Sequence, residues 1–214
     1  MDKLMSLDNP FWRSLHTAAD MLILNLLYVL FCLPVVTIGA ATSALYAVSM
    51  KLADRDEDIY VTRYFWKSFA ANFKQATWIW LIFLAVGFFL AYDLLLVNVP
   101  DLYFLNWLEI VLWILLGYYV LCLAYVFPLQ SRYENSVFKT IRNSLLLAIA
   151  NVIPWSLLVG GINLLPILVL WFQPSNGAVL LPVMLICGFS VTAYANSKIL
   201  NRVFSRYHTE EEEI

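Results

Sequence analysis

Along this chain apolar positions come in long continuous runs separated by short polar connectors, and inside the runs they neither alternate nor keep to one helical face. The runs cover Met21 to Met50, Thr77 to Val99, Leu102 to Phe127, Leu145 to Phe172 and Ala178 to about Ile199. A helix needs roughly 20 apolar residues to cross about 30 Å of hydrocarbon, so each run predicts at least one crossing. Their continuity excludes a membrane barrel, whose strands alternate apolar and polar positions. One stretch is different. From Tyr60 to Ala76, Phe65, Phe69 and Phe73 recur every fourth residue while Arg63, Lys67, Lys74 and Gln75 take other faces. That spacing predicts an amphipathic helix within a cytoplasmic connector, 55–76, suited to the headgroup region.

The first run decides the topology because it is broken near its middle. Pro34 lacks an amide hydrogen, disfavours helical geometry at Leu33 and clashes one turn back; Gly39 adds backbone freedom, and Thr37 between them predicts a cap for a second helix. Small residues follow at three- and four-residue spacing from Gly39 to Ala47, which predicts close approach of another helix. Upstream, Asn9-Pro10 reads as the cap and first position of the helix that enters this run. No small-residue cleavage pattern precedes a mature domain, so the first crossing is expected to be retained.

Charge then orients the chain. Of thirteen Lys and Arg residues, eleven fall in the connectors Lys51 to Lys74, Arg132 to Arg142 and Lys198 to Arg206, and none in Asn98 to Asn106 or Gln173 to Gly177. The basic connectors and the C-terminus are therefore expected in the cytoplasm of a multi-pass cell-membrane protein. Lys3 and Arg13 favour two crossings in the first run, with a tight outer turn at Pro34 to Gly39. The expected fold is all-α: one helical membrane domain, 1–214, of six transmembrane helices in three hairpins with both termini cytoplasmic, or five if Met21 to Met50 crosses once. An acidic end, 207–214, is expected to fray. The connector stretches Phe65 to Asn72 and Phe138 to Asn143 share a pattern that hints at an internal repeat.

Composition agrees with this plan. Of 214 residues 62% are hydrophobic and 13% charged, with a mean hydropathy of +0.76, well outside the soluble globular range. Cys32, Cys122 and Cys187 lie in separate runs without metal-ligand spacing, and His16 and His208 are far apart, so neither a disulfide framework nor a metal site is expected. No cofactor is implied, no phosphate loop or nucleophile elbow is found, and no basic domain for nucleic acid is present. The expectation is a protein that is not an enzyme.

Ionisable and amide residues within the runs are the remaining candidates. Asp93 and Glu109 fall toward the outer ends of consecutive crossings. They are either hydrated at the interface or share a vestibule on a transport path. Asn25, Asn151, Asn163 and Asn196 are expected to be buried amides that bond helix to helix. Pro154, Gly160-Gly161 and Pro166 interrupt the run Leu145 to Phe172, which together with the first break gives two discontinuous segments, the arrangement of a midplane site in transporters or simply two kinks.

Several motifs stand in an order that resembles the YesL family: Leu33-Pro-Val-Val-Thr-Ile-Gly39, then Ala44-Leu-Tyr46, the acidic turn Asp54 to Asp58, Asn72-Phe73-Lys74-Gln75-Ala76-Thr77, and Tyr125-Val-Phe-Pro128-Leu129. The resemblance covers nearly the whole chain and singles out Pro34, Thr37, Gly39, Asn72, Phe73 and Pro128 as motif positions. It implies an integral membrane protein of Gram-positive bacteria without a defined activity or agreed catalytic residues. Relatives encoded near sugar-uptake systems imply an accessory role in carbohydrate uptake. The expected partners are the lipid bilayer and either sugar-transporter permease subunits or further copies of the chain. The alternative is a small-solute transporter or channel lined by Asp93 and the broken helices.

Overall fold

The structure is a computed structural model that describes residues 10–54, 59–97, 106–133, 135–150 and 157–212, and every regular element among them is helical. Helix α1 spans Pro10–Cys32 and α2 Ile38–Asp54, with a 3₁₀ turn at Val35–Thr37 between them. Helix α3 spans Val61–Val97, α4 Asn106–Arg132, α5 Val137–Ala150 and α6 Leu157–Phe172. A 3₁₀ turn at Pro174–Asn176 leads into α7, Gly177–Val183, which passes through a π-helical turn at Met184–Gly188 into α8, Phe189–Glu212. Five helices are long and apolar enough to cross a membrane, and Leu158–Phe172 is a shorter apolar helix. This is a multi-pass helical membrane protein by length and composition. Asn9, the acidic turn 55–58, Asn151 and Pro154 lie outside the described residues.

Helix α2 is the hub. Gly39 to Met50 are buried but for Thr42, a larger buried share than in the other four helices long enough to cross a membrane. Its small residues Gly39, Ala40, Ala41, Ser43, Ala44 and Ala47 let α3, α4 and α8 approach closely. At Gly39 the approach is closest. A Cβ there would stand 2.5 Å from the Ala76 carbonyl oxygen and 2.6 Å from Trp80 Cβ.

The contacts fix each helix's direction. Gly39 lies against Ala76 and Trp80, and the Lys51 ammonium lies 5.7 Å over the Tyr64 ring, so α2 and α3 are antiparallel. Phe83 packs on Tyr119 and Asn72 meets Gln130, which makes α3 and α4 antiparallel as well. Tyr46 meets Asn196 and the Met50 carbonyl meets Asn201, so α2 runs parallel to α8.

Helix α1 joins α8 at the same end and in the same sense. Asn25 bonds to residues 184, 185 and 190, and the Tyr28 ring lies 5.3 Å from Phe189. Helices α1 and α2 thus point the same way along α8. The tight reversal expected at Pro34 to Gly39, which would make them an antiparallel hairpin, is replaced by a stagger.

The physical reason lies in how the break is anchored. Pro34 adopts φ −77°, ψ 119°, outside the helical region, as the sequence predicts. Thr37 does not use its hydroxyl to cap the second helix. It donates backward, to the carbonyls of Phe31 at 2.6 Å and Pro34 at 2.8 Å, and the Trp80 indole donates to the Val35 carbonyl at 2.8 Å. These bonds hold the chain beside the end of α1, so α2 starts alongside it.

Two further runs bear on expectation. The amphipathic stretch Tyr60 to Ala76 and the run after it form one unbroken helix of 37 residues, α3, with Phe65 and Phe69 buried in the bundle. The run from Leu145 to Phe172, expected to be interrupted at Pro154, Gly160-Gly161 and Pro166, lies in α5 and α6 with 151–156 outside the described residues, and α6 continues through Gly160, Gly161 and Pro166 as one helix.

Candidate functional site

Two buried clusters of amides and hydroxyls lie on either side of α2. The first centres on Gln130, just over half a turn beyond Pro128 in the most deeply buried part of α4. Its Nε2 donates to Asn72 Oδ1 at 3.2 Å and to Gln75 Oε1 at 2.7 Å, both on α3. Its Oε1 accepts the Thr140 hydroxyl of α5 at 3.1 Å. Asn72 in turn donates to the Ser68 carbonyl at 3.1 Å. One side chain thus ties three helices together. Both donors and one acceptor of its amide are used within a buried setting where an unpaired amide is costly.

The second cluster joins α2, α6 and α8. Asn196 Nδ2 donates to Tyr46 Oη and to Asn163 Oδ1, each at 3.2 Å, while Asn163 Nδ2 holds the Val159 carbonyl at 2.8 Å. Asn196 Oδ1 has no hydrogen-bond partner, nor have the buried hydroxyls of Ser43, Ser49 and Ser197. Tyr46 stands about midway between Gly39 and Lys51, so the α2–α3 register puts it level with Phe69 to Phe73. The two clusters therefore form one polar layer across the bundle. Toward the end of α2, Asn201 donates to Asp54 Oδ1 at 2.5 Å and to the Met50 carbonyl at 3.3 Å, and its own Oδ1 accepts from Arg132 at 2.9 Å.

The motif positions fall into two groups. Pro34, Thr37 and Gly39 shape the break and the α2–α3 contact. Asn72 and Pro128 sit at the Gln130 cluster, where Pro128 is buried and its carbonyl accepts the Ser131 hydroxyl at 2.8 Å. Phe73 is on the rim of that layer, exposed, with its ring 5.4 Å from Phe69.

Asp93 and Glu109 are brought to the same level by the packing of Leu90, Val97 and Leu112 between α3 and α4. Glu109 accepts the Trp113 indole hydrogen at 3.3 Å. The expected helix-to-helix amides are present as such: Asn25, Asn163 and Asn196 each bond across helices.

Sequence reasoning passed over Gln130, Thr140 and the hydroxyl of Tyr46. Gln130 had a signal, a lone amide just after a proline at the end of an apolar run; Thr140 and Tyr46 had none, since their chemistry depends on what faces them.

The arrangement's chemistry is that of neutral donors and acceptors. Among the described residues no group of three His, Cys, Asp or Glu side chains could hold a metal ion, and Cys32, Cys122 and Cys187 are free thiols on different helices. What the layer does is join helices: Gln130 and Asn196 each join three.

Comparison with known proteins points to the first half of the chain. Residues 21–94 match a family described as a protein of unknown function, DUF624. That span holds the break, α2 and nearly all of α3, including Gly39, Asn72 and Gln75. The chain is also 30% identical over 129 residues to the uncharacterized protein YteU of Bacillus subtilis (strain 168), a match that covers 59% of this chain and 58% of that protein. The chain is thus matched to little more than half the length of that relative. No solved structure matches.

Proposed function

We propose that this chain is a non-enzymatic interaction component of a Gram-positive cell membrane, an accessory to carbohydrate uptake that contacts permease subunits or further copies of itself. The reading is supported above all by how the interior polar groups are used. In the Gln130 cluster they are consumed in joining helices, as in a protein whose task is to present a fixed surface. The surface offered is Tyr60, 81% exposed just before α3, and the first half of α3, with Trp66 58% exposed beside Arg63 and Lys67, together with the start of α5 with Phe138 exposed. Aromatic anchors rimmed by cations suit a partner with an acidic cytoplasmic face. The resemblance to the YesL family supports the link to sugar import, with the basic connectors and the C-terminus in the cytoplasm.

The test is purification in mild detergent. Recovery of a permease or a defined oligomer is expected, and Trp66→Ala together with Lys67→Glu should reduce it at least fivefold. A lone monomer under several gentle conditions overturns the reading.

A second reading, a small-solute transporter or channel, is favoured by the common level of Asp93 and Glu109 near the outer ends of α3 and α4. Purified protein in liposomes should then move a solute or protons, and Asp93→Asn should change the rate. Absence of flux, or indifference to that substitution, removes it.

A further inference from the structure

The basic side chains outside the bundle fall within the slab that α2 occupies. Lys67 and Lys74 lie on the stretch of α3 that α2 covers, between the Lys51–Tyr64 and Gly39–Trp80 contacts. Lys139 and Arg142 flank Thr140, which bonds Gln130 and so stands level with Asn72 and Gln75. Lys198 is two residues beyond Asn196, which meets Tyr46 in the middle of α2. All five side chains are exposed. In hydrocarbon each would face acyl chains, where a cation is strongly disfavoured. The slab that contains α2 is therefore outside the hydrocarbon, and the apolar character of α2 answers to burial in protein.

The break before α2 supports the same level independently. It lies beside Trp80, and α3 continues from there to Val97, about 25 Å further at 1.5 Å per residue. A turn at the outer surface would stand near Val97. Its carbonyls at Phe31, Pro34 and Val35 are taken up by Thr37 and Trp80, while Leu33, Val35 and Val36 are 73%, 59% and 50% exposed. Irregular backbone whose polar groups are satisfied internally and whose side chains are apolar suits a position at the hydrocarbon edge.

We propose that Lys67, Lys74, Lys139, Arg142 and Lys198 form a seat for the phosphate headgroups of the cytoplasmic leaflet, with α2 at the same level, outside the hydrocarbon. The first apolar run then crosses once, through α1, and the start of α1 faces outward. The partner is an anionic lipid surface, and the proposal does not depend on a protein docking to α3.

Two measurements on the full chain test it. In intact cells, a protease-cleavable tag placed ahead of Pro10 should be cut from outside, and Val36→Cys should stay unlabelled by an impermeant maleimide. A protected tag, or labelling at position 36, overturns the single crossing. In reconstituted vesicles, replacing phosphatidylcholine by phosphatidylglycerol should raise the wild-type unfolding midpoint by several degrees. The gain should fall by at least half in K67Q/K74Q/R142Q. An equal gain in that variant, or the same gain from inorganic phosphate alone, overturns the headgroup seat.

Discussion

Asn25 Oδ1 accepts the backbone amide of Ser190 at 3.0 Å, across 165 positions of sequence. The other end of the same side chain donates to the carbonyls of Leu185 at 2.7 Å and Met184 at 3.2 Å. A π-helical turn displaces the regular ladder of hydrogen bonds, and here a side chain from another helix supplies the missing partners. Asn25→Leu keeps the volume and removes all three bonds. It should destabilise the protein by about 2 to 4 kcal/mol, since unpaired buried backbone groups cost about 1 to 3 kcal/mol each. Thermal unfolding in detergent would check it, and a midpoint within a degree of wild type would refute the role.

Two glycines give a paired prediction. At Gly39 an added methyl meets the Ala76 carbonyl oxygen and Trp80 Cβ, so Gly39→Ala must push α2 and α3 apart and should cost about 2 kcal/mol or more. At Gly117 an added Cβ meets nothing within 4 Å, so Gly117→Ala should leave stability unchanged or raise it by up to about 1 kcal/mol through helix propensity. Melting curves of the two variants side by side separate close packing from backbone entropy.

Gln130 offers a test of the node. Gln130→Glu keeps the shape but turns a two-hydrogen donor into an acceptor facing Asn72 Oδ1 and Gln75 Oε1. Gln130→Leu removes the amide without adding a charge. Both should lower stability at pH 7, the glutamate variant more, by about 3 kcal/mol or greater. Melting points equal to wild type in both would show that polarity at this position is incidental.

The break should respond to loss of its anchors. Trp80→Phe removes the indole donor to the Val35 carbonyl and Thr37→Val removes the hydroxyl shared by Phe31 and Pro34. Each should cost about 1 to 2 kcal/mol, and the double variant should depart from the sum, because both side chains anchor the same turn. Hydrogen exchange at the first residues of α2 should quicken in both.

Much of this architecture is legible in the residue order. Continuous apolar runs announce the helices, Pro34 marks the break, and lone asparagines in apolar surroundings foretell bonds between helices. The role of α2 is not legible, because hydropathy treats burial in protein and immersion in lipid alike; only the level of Lys67, Lys74 and Lys198 relative to it tells them apart. The joining of Val61 to Val97 into one helix was hidden for a related reason. A change from amphipathic to uniformly apolar composition reads as a boundary, although nothing between Lys74 and Trp78 interrupts helical geometry. The partners of Gln130 were hidden because they come from two other helices.

Helix α3 has no proline and no described break along its 37 residues, about 55 Å. Such a rod acts as a lever. A tilt imposed near Asp93 at one end displaces Tyr64 and Trp66 at the other with no joint to absorb it, so an event at the first end would be felt at the second as a swing of the aromatic side chains, pivoting where Gly39 grips Ala76.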